Sequence, residues 1–135
     1  METFEVYKDK VVKKIIERFN PICIYLFGSF VKGTVRKDSD VDIAFLSEEK
    51  TDPYQVFLVA QEIAETVRRE VDLVNLSEAS TVFKIQVVAN GKLLYCTNEQ
   101  KKDEFEMLVY KMYAKLNEER KPVLDAIRES GRIYE

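Results

Sequence analysis

An apolar run that stops at a glycine–serine pair restricts the fold of this chain more than any other feature of its 135 residues. Residues 22–27 are almost all apolar, which is typical of a strand that is buried on both faces. Gly28-Ser29 follows at once and predicts a turn at the carboxyl end of that strand. A short helix over residues 30–35 and a charged loop over residues 36–39 come next, and a second strand is predicted from Asp40 to Leu46. These two strands and the turn between them form the central unit of the predicted fold.

Two carboxylates mark the start of the second strand. The strand alternates, so Asp40 and Asp42 lie on one face and the apolar residues Val41, Ile43 and Phe45 on the other. Two carboxylates side by side repel each other unless a cation lies between them. They could instead be solvated residues at the end of a strand. We interpret Asp40 and Asp42 as a candidate site for a divalent metal ion.

The Gly28-Ser29 turn is a candidate phosphate site. Small residues at the carboxyl end of a strand let backbone N–H groups approach a phosphate. A basic cluster lies between this turn and the carboxylates, and it either binds a triphosphate or belongs to a solvated surface. It consists of Lys32, Arg36 and Lys37. A phosphate site and a carboxylate pair, ten residues apart, indicate Mg²⁺-dependent phosphoryl or nucleotidyl transfer.

A third aspartate follows on the next predicted strand, at residues 71–76. Asp72 has apolar neighbours on both sides, and an isolated buried aspartate is costly. A metal ion shared with Asp40 and Asp42 would account for it, although backbone N–H groups at a strand edge could also satisfy it. Three such carboxylates could hold two Mg²⁺ ions about 4 Å apart. Asp72, the carboxylate expected closest to the attacking hydroxyl, could also accept its proton.

The absence of histidine removes several competing chemistries. The chain has no histidine, so His-based metal sites, His general bases and Ser-His-Asp or Cys-His catalysis are excluded. Cys23 and Cys96 each lie in an apolar run, and we interpret them as buried free thiols rather than a disulfide.

Charge and hydropathy indicate which partners and which compartment to expect for the protein. The net charge of −3 argues against a general nucleic-acid-binding protein, and no direct contact with nucleic acid is expected. No run approaches the roughly 18 apolar residues that a membrane span needs. The N-terminus lacks a signal-peptide pattern. We therefore expect a cytoplasmic protein.

The pattern of apolar residues predicts helices between the strands. Helices are predicted over residues 4–19, 30–35, from Asp52-Pro53, from Ser77 to about Ala89, and from Asn98 onwards, with Pro122 kinking the last region or breaking it into two helices. Residues 92–96 predict a fourth strand. The fold class is α/β (α+β), with a small mixed β-sheet flanked by helices. We expect a domain over residues 1–97 and a C-terminal helical extension over residues 98–135, packed on the same domain.

The order of the motifs resembles a known family pattern. That pattern is Gly-Ser, a spacer, Asp-x-Asp and a distal Asp among apolar residues, as in the nucleotidyltransferase superfamily of DNA polymerase β and kanamycin nucleotidyltransferase. This chain matches it at Gly28-Ser29, at Asp40-Val41-Asp42 and at Asp72. The short length and the residues around both motifs look most like the minimal nucleotidyltransferases, or MNT proteins, over roughly residues 10–96.

The resemblance implies a fold, an activity and a partner. Members of the MntA branch are antitoxins paired with a HEPN-domain ribonuclease toxin, HepT. The implied activity is transfer of AMP from ATP to a tyrosine of that toxin, with two Mg²⁺ ions. The residues implied to act in catalysis and metal binding are Asp40, Asp42 and Asp72, and those implied to bind nucleotide and phosphate are Gly28 and Ser29. Lys32 and Arg36 of the basic cluster are further candidates for nucleotide and phosphate binding.

Two alternatives to catalysis on a protein remain at this point. The chain could neutralise its partner by stoichiometric contact alone, as a binding module. It could also be a small-molecule nucleotidyltransferase that modifies an antibiotic, although 135 residues leave little room for the second domain that such enzymes carry. The apolar stripe of the C-terminal region, with its added tyrosines, either packs on the core or joins subunits in a homo- or hetero-oligomer.

Overall fold

A four-stranded sheet with helices on both faces forms the protein. The computed structural model describes residues 4–28 and 40–130, with side chains described as far as residue 119. Within these residues there are four α-helices and four strands. In chain order they are α1 (Phe4–Phe19), β1 (Cys23–Phe27), β2 (Val41–Leu46), α2 (Pro53–Val67), β3 (Val71–Asn75), a 3₁₀ turn (Leu76–Glu78), α3 (Thr81–Asn90), β4 (Lys92–Cys96) and α4 (Glu99–Ser130).

The sheet is mixed, as predicted. Its strand order is β3-β2-β1-β4, so β3 and β4 are the two edges. β1 pairs antiparallel with both β2 and β4, whereas β2 and β3 run parallel. The connection between the parallel strands contains α2, as a parallel crossover requires. The predicted fold class is therefore confirmed.

Each face of the sheet has its own apolar core. On one face, Ile24 and Ile43 pack with Val11 of α1 and with Val59 and Ile63 of α2. On the other face, the core contains Cys23, Tyr25, Ala44, Leu46, Leu76 and Val87, with Phe83 and Phe105 packed against it. The central strands are buried on both faces, which explains why residues 22–27 are almost all apolar. No helix in the described part of the chain is long and apolar enough to cross a membrane.

Side-chain caps fix the ends of the helices. The backbone N–H of Tyr54 donates to Asp52 at 3.0 Å and Pro53 opens α2, so the predicted start of that helix is confirmed. The predicted start of α3 at Ser77 is wrong. Asn75 instead caps the 3₁₀ turn that contains Ser77, and the Ser80 hydroxyl accepts from Phe83 N–H at 3.2 Å to begin α3. Either Ser77 or Ser80 could cap a helix. Because the N–H of Ser77 donates to the Asn75 side chain, Ser77 belongs to the 3₁₀ turn, and Ser80 caps α3.

The C-terminal helix is one element rather than two. α4 spans 32 residues without a break, so the predicted division at Pro122 into two helices is wrong. A helix of this length extends for about 48 Å. Proline removes one backbone hydrogen bond, but its fixed φ is compatible with a helix. The hydrogen bonds of the neighbouring turns can therefore keep the helix continuous at this position. Its first half contacts the domain, where Val109 is buried.

A buried polar contact fastens α4 to the centre of the sheet. The Tyr25 hydroxyl donates to Glu106 Oε2 at 2.6 Å, and Tyr25 is only 2% exposed. Burial raises the pKa of Tyr25, and the bond to Glu106 raises it further, so the phenol remains a donor. Lys102 adds a longer ion pair to Glu106, at 3.7 Å.

Tyr25→Phe is expected to destabilise the chain by about 1–3 kcal/mol, because the partly buried carboxylate of Glu106 loses its hydrogen bond and keeps only the longer ion pair with Lys102. Urea unfolding at neutral pH measures this change. Tyr110→Phe is the matched control, since Tyr110 lies on the same helix as Glu106 and is exposed. Equal unfolding midpoints for the two variants would show that the contact contributes nothing.

Candidate active site

Strand register brings two of the predicted aspartates together. Asp42 of β2 lies directly opposite Asp72 of the parallel strand β3. On its other side Asp42 lies opposite Phe27, the last residue of β1. Asp40 precedes β2 and is exposed. Asp42 therefore occupies the centre of the site, one strand in from the edge.

The burial of these carboxylates differs from the prediction. Asp72 was expected to be the buried one, because of its apolar neighbours in sequence, but it is exposed. Asp42 is the one that is partly buried. The reason is the strand order: β3 is an edge strand, so nothing covers the Asp72 side chain, whereas β2 lies between two neighbours.

Crowding of negative charge changes the proton affinity of Asp42. Partial burial raises its pKa from 3.8 to about 6, and the nearby charges of Asp72 and Asp40 and a hydrogen bond with Asp72 contribute to the same direction. Acids other than these three take part in the ion pairs of Lys14, Arg18, Lys92, Lys101 and Lys102. The negative charges of Asp40 and Asp72 therefore act directly on Asp42.

The donor set fits a hard divalent cation that brings other ligands with it. Carboxylate oxygens suit Mg²⁺, which keeps waters and substrate phosphates in its remaining positions. In the described residues, no group of three or more His, Cys, Asp and Glu side chains is arranged to hold an ion unaided. Asp42 and Asp72 lie side by side, and Asp40 reaches them through its charge. That Asp40 is a direct ligand stays a prediction.

The glycine of the turn packs directly on this carboxylate. Gly28 has a φ of +79°, which favours glycine. A Cβ atom there would overlap Oδ2 of Asp42 and lie 3.1 Å from its Cγ. The predicted phosphate turn and the predicted carboxylate site are therefore contiguous. Ser29, Lys32 and Arg36, together with the predicted helix at residues 30–35, lie outside the described residues.

An aromatic pair beside the site was not predicted. Phe27 lies opposite Asp42, and the ring of Phe83 from α3 meets it edge-on, with centroids 5.4 Å apart. Phe27 could have been noted as the last apolar residue before the turn. Phe83 carries no such signal, because it is 56 positions further along the chain and only the packing of α3 brings it there.

Comparison with known proteins gives the family of this chain. Residues 9–100 match the family described as "Polymerase beta, Nucleotidyltransferase". The chain is 36% identical over 124 residues to the protein adenylyltransferase MntA of Shewanella oneidensis, covering 91% of this chain and 88% of that protein.

Solved structures agree with the sequence comparison. A crystal structure of a toxin–antitoxin pair with AMP-PNP matches with a TM-score of 0.81 and 36% identity, over 90% of this chain and 98% of that chain. A tri-AMPylated Shewanella oneidensis HEPN toxin in complex with its MNT antitoxin matches with a TM-score of 0.78 and 32% identity, over 93% and 99%. The predicted resemblance is confirmed: the chain belongs to the polymerase β-type nucleotidyltransferase family and is a homologue of MntA.

Proposed function

We propose that this chain transfers AMP from ATP to a tyrosine hydroxyl of a HEPN-domain partner and thereby acts as an antitoxin. The observation that carries the proposal is the Asp42–Asp72 pair, set against the Gly28 turn. The relative named a protein adenylyltransferase and the solved complex with a tri-AMPylated HEPN toxin support the choice of nucleotide and acceptor.

Different residues of the chain have different roles in the proposed reaction. Mg²⁺, proposed as two ions on the carboxylates of Asp40, Asp42 and Asp72, would supply charge neutralisation of the triphosphate and a lower pKa for the attacking hydroxyl. The turn at Gly28 lets the backbone approach the phosphates. The acceptor oxygen forms a bond to the α-phosphorus as the bond to pyrophosphate breaks. Asp72 is exposed on the edge strand, so it can reach the acceptor and take its proton.

Asp42→Asn and Asp72→Asn are each expected to lower AMP transfer by at least about 100-fold, since each removes a charge that holds the substrate or the proton. The assay contains the full chain, labelled ATP, Mg²⁺ and the HEPN protein encoded beside it. Asp9→Asn is the control, because Asp9 is an exposed acid on α1, across the sheet from the site. If the wild-type chain puts no label on the folded partner, the catalytic proposal fails.

The outer surface of α4 is proposed as the contact for this partner. We define that surface by Met107, Leu108, Tyr110 and Met112, which are 37–63% exposed. The side of α4 that bears Val109 packs on the domain, and these four lie around the rest of the circumference. Exposed apolar side chains that form a cluster, rather than being scattered singly, mark an interaction surface. A HEPN protein is the occupant that the solved toxin–antitoxin relatives support.

Met107→Glu combined with Leu108→Glu is expected to weaken binding to the HEPN partner at least about tenfold, because two charges would enter an apolar interface. Isothermal titration calorimetry measures the Kd. Val6→Glu is the matched control, since Val6 is 73% exposed on α1. Unchanged binding by the double variant, or equal weakening by the control, would place the interface elsewhere.

A further inference from the structure

Two cysteines lie opposite each other at the end of the sheet remote from the active site. Cys23 begins β1 and Cys96 ends β4, and the register of these antiparallel strands pairs them directly. Asp42 lies opposite the other end of β1, about 13 Å away along the strand, and Gly28 is one residue further. Both cysteines are free thiols, and 72 residues of chain separate them.

The hydrogen bonds of the two strands define how close the pair is. The backbone N–H of Thr97 donates to the carbonyl of Ile22 at 2.8 Å, which places one bond between the strands at Ile22 and Thr97, whereas the N–H of Ile22 donates to Leu46 at 2.7 Å. Cys23 and Cys96 are next to them and therefore form a non-hydrogen-bonded pair, in which Cα atoms lie about 4.5 Å apart. Disulfides span Cα separations of roughly 4.4–6.8 Å. The backbone therefore needs little movement to join these two residues.

The two side chains also share one environment. Both point to the face that α3 and α4 cover, where Cys23 belongs to the core and Cys96 packs against it. Cys23 is fully buried, whereas Cys96 is partly exposed. Burial raises the pKa of the Cys23 thiol to about 12, a hydrogen bond with Tyr25 opposes this, and the neighbouring Cys96 raises it further.

We propose that Cys23 and Cys96 form an intrachain disulfide, joining β4 to β1, when the chain meets a low-molecular-weight disulfide. The thiolate of Cys96 attacks one sulfur of that oxidant, forming a mixed disulfide and releasing one thiolate. Cys23 then gives its proton to water and attacks the Sγ of Cys96, releasing the second thiol. Two protein thiols are oxidised, and one oxidant disulfide is reduced to two thiols.

Exposure and acidity set the order of these steps. Cys96 reacts first because reagent can reach it, and Cys23 closes the bond because it is buried one strand away. The second step is the slow one, since a thiol must be deprotonated before it attacks and burial opposes this at Cys23. The closed bond links the start of β1 to the end of β4 and constrains the long stretch of chain between them, which contains β2, α2, β3 and α3.

The test uses the full-length chain with oxidised glutathione, analysed by mass spectrometry without reduction. The wild-type chain is expected to lose the mass of two hydrogen atoms. Cys23→Ser is expected to retain glutathione on Cys96. Cys96→Ser is expected to carry no glutathione, because its remaining thiol, Cys23, is buried. A wild-type chain that keeps glutathione on Cys96, or that forms dimers through this residue, would overturn the proposal.

Thermal unfolding gives a second and independent measurement. The oxidised wild-type chain is expected to melt on the order of 5 °C or more above the reduced chain, because the bond restricts the unfolded state. Cys96→Ser, treated in the same way, is expected to show no shift. A shift of equal size in that variant would mean that the oxidant acts elsewhere. AMP transfer is expected to stay within about twofold on oxidation, since the bond lies remote from Asp42.

Discussion

The metal-free chain is expected to lose stability as the pH rises from about 4 to about 6. The pKa of Asp42 is 3.8 in an unfolded chain and about 6 in the folded one, so between these values the folded state binds more protons. Stability must then fall with rising pH across this window and stay low above it. Converted directly, this difference in pKa corresponds to a loss of about 3 kcal/mol. Because Asp42 is only partly buried, solvent screening reduces the expected loss to about 1–2 kcal/mol.

Asp42→Asn is expected to remove that loss, so the inactive variant should be the more stable one at pH 7.5 without metal. Urea unfolding in the presence of a chelator, at several pH values from 4 to 7.5, measures both chains. Asp9→Asn should keep the pH dependence of the wild-type chain. Parallel curves for wild type and Asp42→Asn would show that Asp42 does not titrate as its surroundings indicate. Adding Mg²⁺ and ATP should stabilise the wild-type chain and have little effect on Asp42→Asn.

Gly28→Ala is expected to abolish transfer, with a loss of at least about 100-fold, and to cost about 1–3 kcal/mol of stability. The residue has a left-handed φ that alanine disfavours. Its methyl group would also overlap Oδ2 of Asp42, so the carboxylate must rotate away from its position. AMP transfer and urea unfolding measure the two effects.

A double-mutant cycle separates the two causes of the stability loss. In an Asp42→Ala background the carboxylate is absent. Gly28→Ala should then lower the free energy of unfolding only through its unfavourable φ, so the loss of stability should be smaller. If Gly28→Ala costs the same in both backgrounds, the close contact between the turn and Asp42 is not what destabilises the variant.

The central part of the fold could be predicted because its signals are local. The apolar run before Gly28 and the alternation after Asp40 each describe one element and need no knowledge of the others. That Asp42 and Asp72 lie together was predicted from the metal ion that the aspartates of the two strands could share, and the family pattern agreed with it. Which of the two is buried could not be predicted, because burial depends on which strand lies at the edge, and apolar neighbours in sequence say nothing about that.

Features that depend on long-range packing were missed for the same reason. The bond between Tyr25 and Glu106 joins residues 81 positions apart, and no periodicity links them. The pairing of Cys23 with Cys96 needs the register of β1 and β4, which two apolar runs cannot specify. The start of α3 required a choice between two serines that local propensity treats alike. In each case, contacts between residues that are distant in the sequence determine the structure.

The crowding of Asp42 against Asp72 affects how this protein would respond to laboratory evolution. A screen that rewards only thermal resistance or expression level would favour neutral replacements at Asp42, because they relieve repulsion that the folded chain otherwise endures. Heat-tolerant clones from such a screen would therefore tend to be inactive. A library intended to yield sturdier active forms should hold both aspartates constant, or include Mg²⁺ and nucleotide during selection, so that the charged pair becomes an advantage.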